Sequence, residues 1–195
     1  TMYQQTTLFN SQSNTSNGRM LFHKPDATIK NSTLWMYFGS GNIQKLQDQN
    51  SNIKNRLYGI KDKDFPNFVA INSAGTISNC KTGNNCPTNN DLGWYIDLDK
   101  SKKVTAEPTV DKDRVYFPIY EPTTGNNACK TGKAILTGYD SKCGNSVLNV
   151  VVGTGVLSKV VVQGDNLYVG IAGVANENID GFTSSENLIT GKSGA

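Results

Sequence analysis

The 195-residue chain is long enough to bury a core, yet only 36% of it is hydrophobic and 19 residues are glycine. No apolar run approaches the roughly twenty residues that a spanning helix requires, so no membrane span is expected. Net charge is +3, but the basic residues are scattered among acidic ones and only Arg19, Arg56 and Arg114 are arginine. That leaves no basic stripe for a nucleic acid. Many Gly, Asn, Thr and Ser residues around four cysteines describe a secreted β-rich protein of short strands and polar turns.

Thr1-Met2-Tyr3 opens with neither a charged start nor an apolar signal run, so the chain reads as a mature or excised carboxy-terminal piece. Residues 1–25 form an extended lead-in, polar in its first eighteen positions apart from Leu8 and Phe9. Asn31-Ser32 then turns the chain into a strand from Leu34 to Phe38. It puts Leu34, Met36 and Phe38 on one face and Trp35 and Tyr37 on the other. A strand apolar on both faces is normally sandwiched between neighbours. Gly39-Ser40-Gly41 ends it and lacks the Gly-Lys-Ser/Thr ending and following helix of a phosphate cradle.

Residues 42 to 55 permit at most a helical turn and a half. Asp48, Asn50 and Asn52 match the D-x-N-x-N opening of a calcium loop. Ile53, however, stands where such a loop needs Gly, and Gly59 where it needs a bidentate acid. The stretch is therefore read as a solvated turn, and no metal is assigned.

Arg56 to Lys61 is a second strand, turned by Asp62-Lys63-Asp64, and Phe65 to Ile71 reads as an edge strand. The turn-rich stretch from Asn72 to Leu92 carries Cys80 and Cys86, and long loops without structure of their own are usually binding loops. Trp94 and Ile96 then alternate with Tyr95 and Asp97. Val104 to Val110 and Arg114 to Tyr120 form a hairpin about Asp111-Lys112-Asp113, with Val115, Phe117 and Ile119 on one face and Tyr116 and Tyr120 on the other. The chain leaves the sheet from Glu121 to Asn127, because Pro122 cannot donate to a ladder and Gly and Asn suit turns. It returns from Lys133 to Tyr139.

Ser146 to Val152 is a β-branched strand that Gly153-Thr154-Gly155 is expected to break. Val156 to Val162 and Leu167 to Ala172 make a hairpin about Gly164-Asp165. Residues 174–195 read as a polar tail, too poor in apolar surface to order itself.

Four cysteines allow three connectivities. Spacing favours Cys80 with Cys86 and Cys129 with Cys143, each pair within one polar excursion. The second pair would close about fifteen residues, worth roughly 3 kcal/mol in the chain-entropy model. A four-thiolate zinc site would want two close C-x2-4-C pairs, which neither gap supplies. Disulfides imply an oxidising compartment. No catalytic constellation emerges: His23 has no Cys in its local element and no recognisable acid partner, and Gly153-Thr154-Gly155 is not a nucleophile elbow.

Taken in order, TLWMYFGSGN (33–42), RLYGIKD (56–62), GWYIDL (93–98), KVTAEPTV, RVYFPIYEPT and AILTGYDSKCG (134–144) resemble the carboxy-terminal β-propeller of the PilC/PilY family of type IV pilus tip proteins. The resemblance runs from about Leu8 to Gly173. It implies an all-β fold, a partial or small β-propeller of antiparallel blades with disulfide-stapled loops, about three of them within residues 26–173. It also implies a non-enzymatic protein that supports pilus assembly and surface adhesion. Its partners would be minor pilins or the pilus tip complex and a host or abiotic surface receptor. Its place would be extracellular, at the pilus tip on the cell surface, reached through the periplasm. No cofactor is assigned, although family members carry calcium in an Asp-rich loop elsewhere in the parent protein.

The loops supply the expected contact residues: Asn79, Asn84, Asn85, Asn89 and Asn90 in one, Asn126 and Asn127 in the other. Asn side chains both donate and accept, as sugar hydroxyls or a partner's backbone require. The alternatives are a secreted carbohydrate- or surface-binding β module unrelated to pili, and a quinoprotein-like propeller enzyme. Shared architecture alone does not transfer that enzyme's chemistry.

Overall fold

The computed structural model describes residues 7–50, 52–67, 69, 77–79, 87, 91–99, 101–123 and 130–193. Among them the chain forms fourteen strands: β1 (Asp26–Lys30), β2 (Thr33–Gly39), β3 (Arg56–Asp62), β4 (Ser78–Asn79), β5 (Gly93–Asp97), β6 (Lys103–Val104), β7 (Thr109–Asp111), β8 (Arg114–Glu121), β9 (Lys133–Asp140), β10 (Ser146–Leu157), β11 (Val161–Gln163), β12 (Asn166–Ala175), β13 (Phe182–Ser185) and β14 (Leu188–Lys192). A 3-10 turn at Ile43–Lys45 is the helical content of the described residues, and no described helix is long and apolar enough to cross a membrane. The protein is all-β, and its sheets are antiparallel except where β4 pairs β5.

The first sheet has the order β1-β2-β3-β5-β4. The alternation in β2 divides its side chains as expected: Trp35 and Tyr37 enter one core, Phe38 and Met36 another. β5 sends Trp94 and Ile96 to the same side as Trp35. Gly59 is needed in β3 because the Trp94 indole lies across it; a Cβ there would sit 2.3 Å from the ring. The opposite face of this sheet is covered by Leu8 and Phe9 of the lead-in, Phe9 lying 5.4 Å from Tyr58 and 5.8 Å from Phe38 between ring centroids.

The second sheet has nine strands, in the order β13-β14-β12-β10-β9-β8-β6, with β7 on β8 and β11 on β12. Both β6 and β7 pair with β8, so the expected first arm of the hairpin is two short strands interrupted at Thr105 to Pro108. Val115, Phe117, Ile119 and Ile135 pack against Trp35, Tyr37, Leu57 and Trp94 of the first sheet. From the other face of β8 and β9, Tyr116, Ala134 and Leu136 pack against Leu167, Val169, Ile171 and Ile189 of β12 and β14. The second sheet therefore folds across itself, and β8 and β9 are buried on both faces. Register shifts in β10, between Ser146 and Leu148 and between Val151 and Gly153, mark where it bends.

Three expectations differ from this arrangement. Gly153-Thr154-Gly155 does not break β10, which runs unbroken to Leu157. The glycines instead allow close approach of β12: a Cβ on Gly153 would meet the Val174 carbonyl oxygen at 2.2 Å, and one on Gly155 that of Ala172 at 2.3 Å. Residues beyond Gly173 build β13 and β14, and both Ile179, just before β13, and Ile189, in β14, are buried, so this segment is part of the sheet and not a free tail. These strands need little apolar content of their own because neighbouring strands supply the rest of the core. Finally, of the strand expected from Phe65 to Ile71, Phe65 to Asn67 form a turn, because Asp62 Oδ1 accepts from the main-chain N–H of Asp64 and Phe65, and the remainder apart from Val69 lies outside the described residues.

Candidate functional site

The loop from Asn42 to Asn55 is organised by its own side chains. Asn42 Oδ1 caps the 3-10 turn by accepting from Gln44 N at 3.0 Å. Asp48 Oδ1 accepts from Asn50 N, and Asn50 Oδ1 from Asn52 N, giving two successive Asx turns. With those oxygens facing the backbone, the suggested metal ligands Asp48 and Asn50 hold turns together, and Asn52, the third, supplies its main-chain N–H to the second turn. No described group of three or more His, Cys, Asp or Glu residues could hold a metal.

A cation does sit against this loop, and it belongs to the protein. Lys103, 3% exposed, sends its ammonium to the main-chain carbonyls of Leu46 (3.0 Å), Asp48 (2.8 Å) and Ser101 (2.9 Å). Its three N–H groups are thereby all used, as burial of a charge demands. Burial still lowers its pKa from 10.5 to about 8, with the Asp48 carboxylate opposing the shift. Ser101 Oγ adds a bond to the Asn50 carbonyl, fixing the loop to the segment before β6.

The lead-in completes the site. The turn Asn14 to Gly18 closes through Gly18 N to the Asn14 carbonyl, and Asn14 Oδ1 accepts from Ser16 N and Asn17 N. Gly18 needs its positive φ of 73° and its bare Cα, since a Cβ would lie 2.6 Å from Ile53 Cγ2. Buried Asn55 joins the pieces, accepting from Arg19 N and donating to the Lys102 carbonyl. Between turn and loop lies a cavity of about 300 Å³, lined by Asn14, Thr15, Asn42, Lys45, Asp48 and Asn50 over an apolar floor that includes Met20 and Ile53. This is within the range of small-ligand pockets, at its lower end.

A second, shallower groove lies on the outer face of β12, β14 and β13. Tyr168, Thr190 and Thr183 stand in register across it, the two threonine hydroxyls 2.8 Å apart.

Of the expected contact residues, Asn79 lies in β4, while Asn84, Asn85, Asn89, Asn90, Asn126 and Asn127 lie outside the described residues. So do Cys80, Cys86 and Cys129. Cys143 is disulfide-bonded, and its partner is outside the described residues. His23 has a lowered pKa, chiefly from burial, with Glu107 opposing, and its Nε2 has no hydrogen-bond partner among the described residues. Sequence reading missed Lys103 because it closes a Lys-Ser-Lys-Lys run that looks solvated. It missed Asn14 and Asn42 because isolated asparagines in turns are unremarkable until two turns meet.

No protein-family model matches the chain, and no solved structure matches it. Similarity is found to a type IV pilus biogenesis factor PilY1 homolog of Xylella fastidiosa, 28% identical over 136 residues. The match covers 60% of this chain and 9% of that protein, so the chain spans less than a tenth of the relative's length.

Proposed function

We propose that this chain is a segment of a type IV pilus-associated surface protein, that it supports pilus assembly and adhesion, and that it acts by binding. The observation that carries the reading is the likeness to the pilus biogenesis factor of Xylella fastidiosa across 60% of the chain. The fold is compatible with it in being all-β and antiparallel, with the first sheet packed on one face of β8 and β9 and with β12 and β14 packed on the other. On this reading the domain stands outside the cell, at the pilus tip, and its partners are minor pilins and a surface receptor. The loops at 72–92 and 121–130 would face those partners.

The test is genetic. In a strain that carries the parent gene, an in-frame deletion of this segment should abolish surface pili and twitching motility while the truncated protein is still exported. A strain that remains fully piliated, motile and adherent would overturn the reading. A second reading, a carbohydrate- or surface-binding module unconnected with pili, is favoured by the pocket that Asn14, Asn42 and Asn50 line over an apolar floor. It predicts intact piliation with loss of attachment alone.

A further inference from the structure

We infer that the cavity between the Asn14 turn and the loop from Asn42 to Asn55 is a binding site for a single pyranose unit of a glycan. The inference stands apart from the pilus reading, since it needs only this pocket.

The argument begins with three asparagines. Asn14, Asn42 and Asn50 each commit their carbonyl oxygen to a neighbouring main-chain N–H, which fixes the plane of the side-chain amide. None of the three –NH2 groups donates to a described residue. An amide held by its oxygen leaves two donors oriented at no further entropic cost. Three such amides therefore line one cavity with unspent, pre-set donors. Acceptors are present too: the Thr15 hydroxyl and the second carboxylate oxygen of Asp48 have no hydrogen bond among the described residues.

The remaining wall selects among ligands. A metal cation is disfavoured by three amide –NH2 groups and by the ammonium of Lys103, already seated on the carbonyls a metal would use. A small inorganic anion would have only Lys45 for charge, because every proton of Lys103 is spent and Asp48 repels it. A ligand that both donates and accepts around a compact ring, with an apolar C–H face for Met20 and Ile53, fits each element. A pyranose has that chemistry, and about 300 Å³ accommodates one unit but no extended peptide.

Asn→Asp replacements separate binding from folding. They keep the oxygen that makes the turn and remove the –NH2 donors. The full chain is mixed with methyl pyranosides of a hexose, an N-acetylhexosamine and a hexuronic acid, and saturation transfer is read by NMR. Transfer to at least one is expected, weakened about tenfold or more in Asn42→Asp/Asn50→Asp, as loss of two donors implies, with the melting temperature little changed. Tyr168→Ala, in the groove on β12, should leave binding intact. No transfer to any of the three sugars would overturn the inference, as would binding unchanged by the Asp pair or binding lost with Tyr168→Ala.

Discussion

The ammonium of Lys103 donates to the main-chain carbonyl of Asp48 at 2.8 Å, and the carboxylate of the same aspartate supplies the counter-charge. One residue thus gives the lysine both a hydrogen bond and electrostatic relief, while its side-chain Oδ1 closes the Asx turn that aims the carbonyl.

Replacing that ammonium should loosen the loop. Lys103→Met leaves the Leu46, Asp48 and Ser101 carbonyls without their donor, and an unsatisfied buried group costs about 1–3 kcal/mol. A loss of about 2–4 kcal/mol in chemical denaturation is expected, some of it recovered by water entering the cavity. A loss below about 0.5 kcal/mol, the usual size of a surface substitution, would show the cradle to be inconsequential.

The same lysine makes a pH prediction. Its folded pKa, about 8, lies below the unfolded 10.5. Below pH 8 the amine is charged in both states, and the full cost of burying charge is present. As pH rises from 8 toward about 9.5 the unfolded chain holds protons that the folded chain has shed, so the contribution of this group to stability increases. Wild type should gain on Lys103→Met across that window in parallel urea titrations. Above about pH 10, where unfolded tyrosines ionise, the raised pKa values of buried Tyr37 and Tyr58 oppose the trend. A constant difference between the two proteins from pH 7 to 9.5 would refute the assignment.

Trp94 and Gly59 form a wedge and slot. The indole Nε1 donates to the buried Ser141 carbonyl at 3.0 Å, pinning the first sheet to the turn after β9. Gly59→Ala drives a methyl into the ring, and overpacking of this kind costs about 1–3 kcal/mol or more. The variant should melt lower with altered tryptophan fluorescence. Unchanged fluorescence and melting would mean the sheet shifts freely at this point.

The partner of Cys143 can be argued from strand length. Lys130 precedes β9, and Cys143 follows its far end; eight residues of strand span roughly 24 Å. Disulfides need Cα atoms within about 7 Å, and Cys129 is one residue from Lys130. Pro87, in contrast, lines the same cavity as Lys142 and Cys143. Non-reducing peptide mapping is therefore expected to recover Cys86 linked to Cys143. Recovery of the Cys129–Cys143 link that spacing suggests would mean that the chain folds back along β9.

The carboxy-terminal hairpin can be tested through Ile189, which is fully buried between β12 and β13. Ile189→Ala should cost about 2–5 kcal/mol, and truncation after Gly173 should yield aggregates by exposing Leu167, Val169 and Ile171. A truncated chain that stays monomeric and melts as sharply as the full one would restore the polar-tail reading.

Much of the fold was legible in the sequence because strand alternation is a local property. Trp35 and Tyr37 against Met36 and Phe38, or Val115, Phe117 and Ile119 against Tyr116, declare two faces by their order alone, and each set packs where the alternation places it. The all-β class, the hairpin turns and the short Ile43–Lys45 turn follow from the same short-range rules. What the tertiary structure decided depends on residues that meet only after folding. Gly153 and Gly155 read as breakers until β12 approaches them, and Ile189 reads as isolated until Leu167 and Ile171 surround it. Asp48 and Asn50 suggested a metal by their spacing, but spacing says nothing about where carbonyls point. The cation they meet is Lys103, brought from 55 residues away by the pairing of β6 with β8, and charge burial there is tolerable only because three backbone carbonyls converge on it.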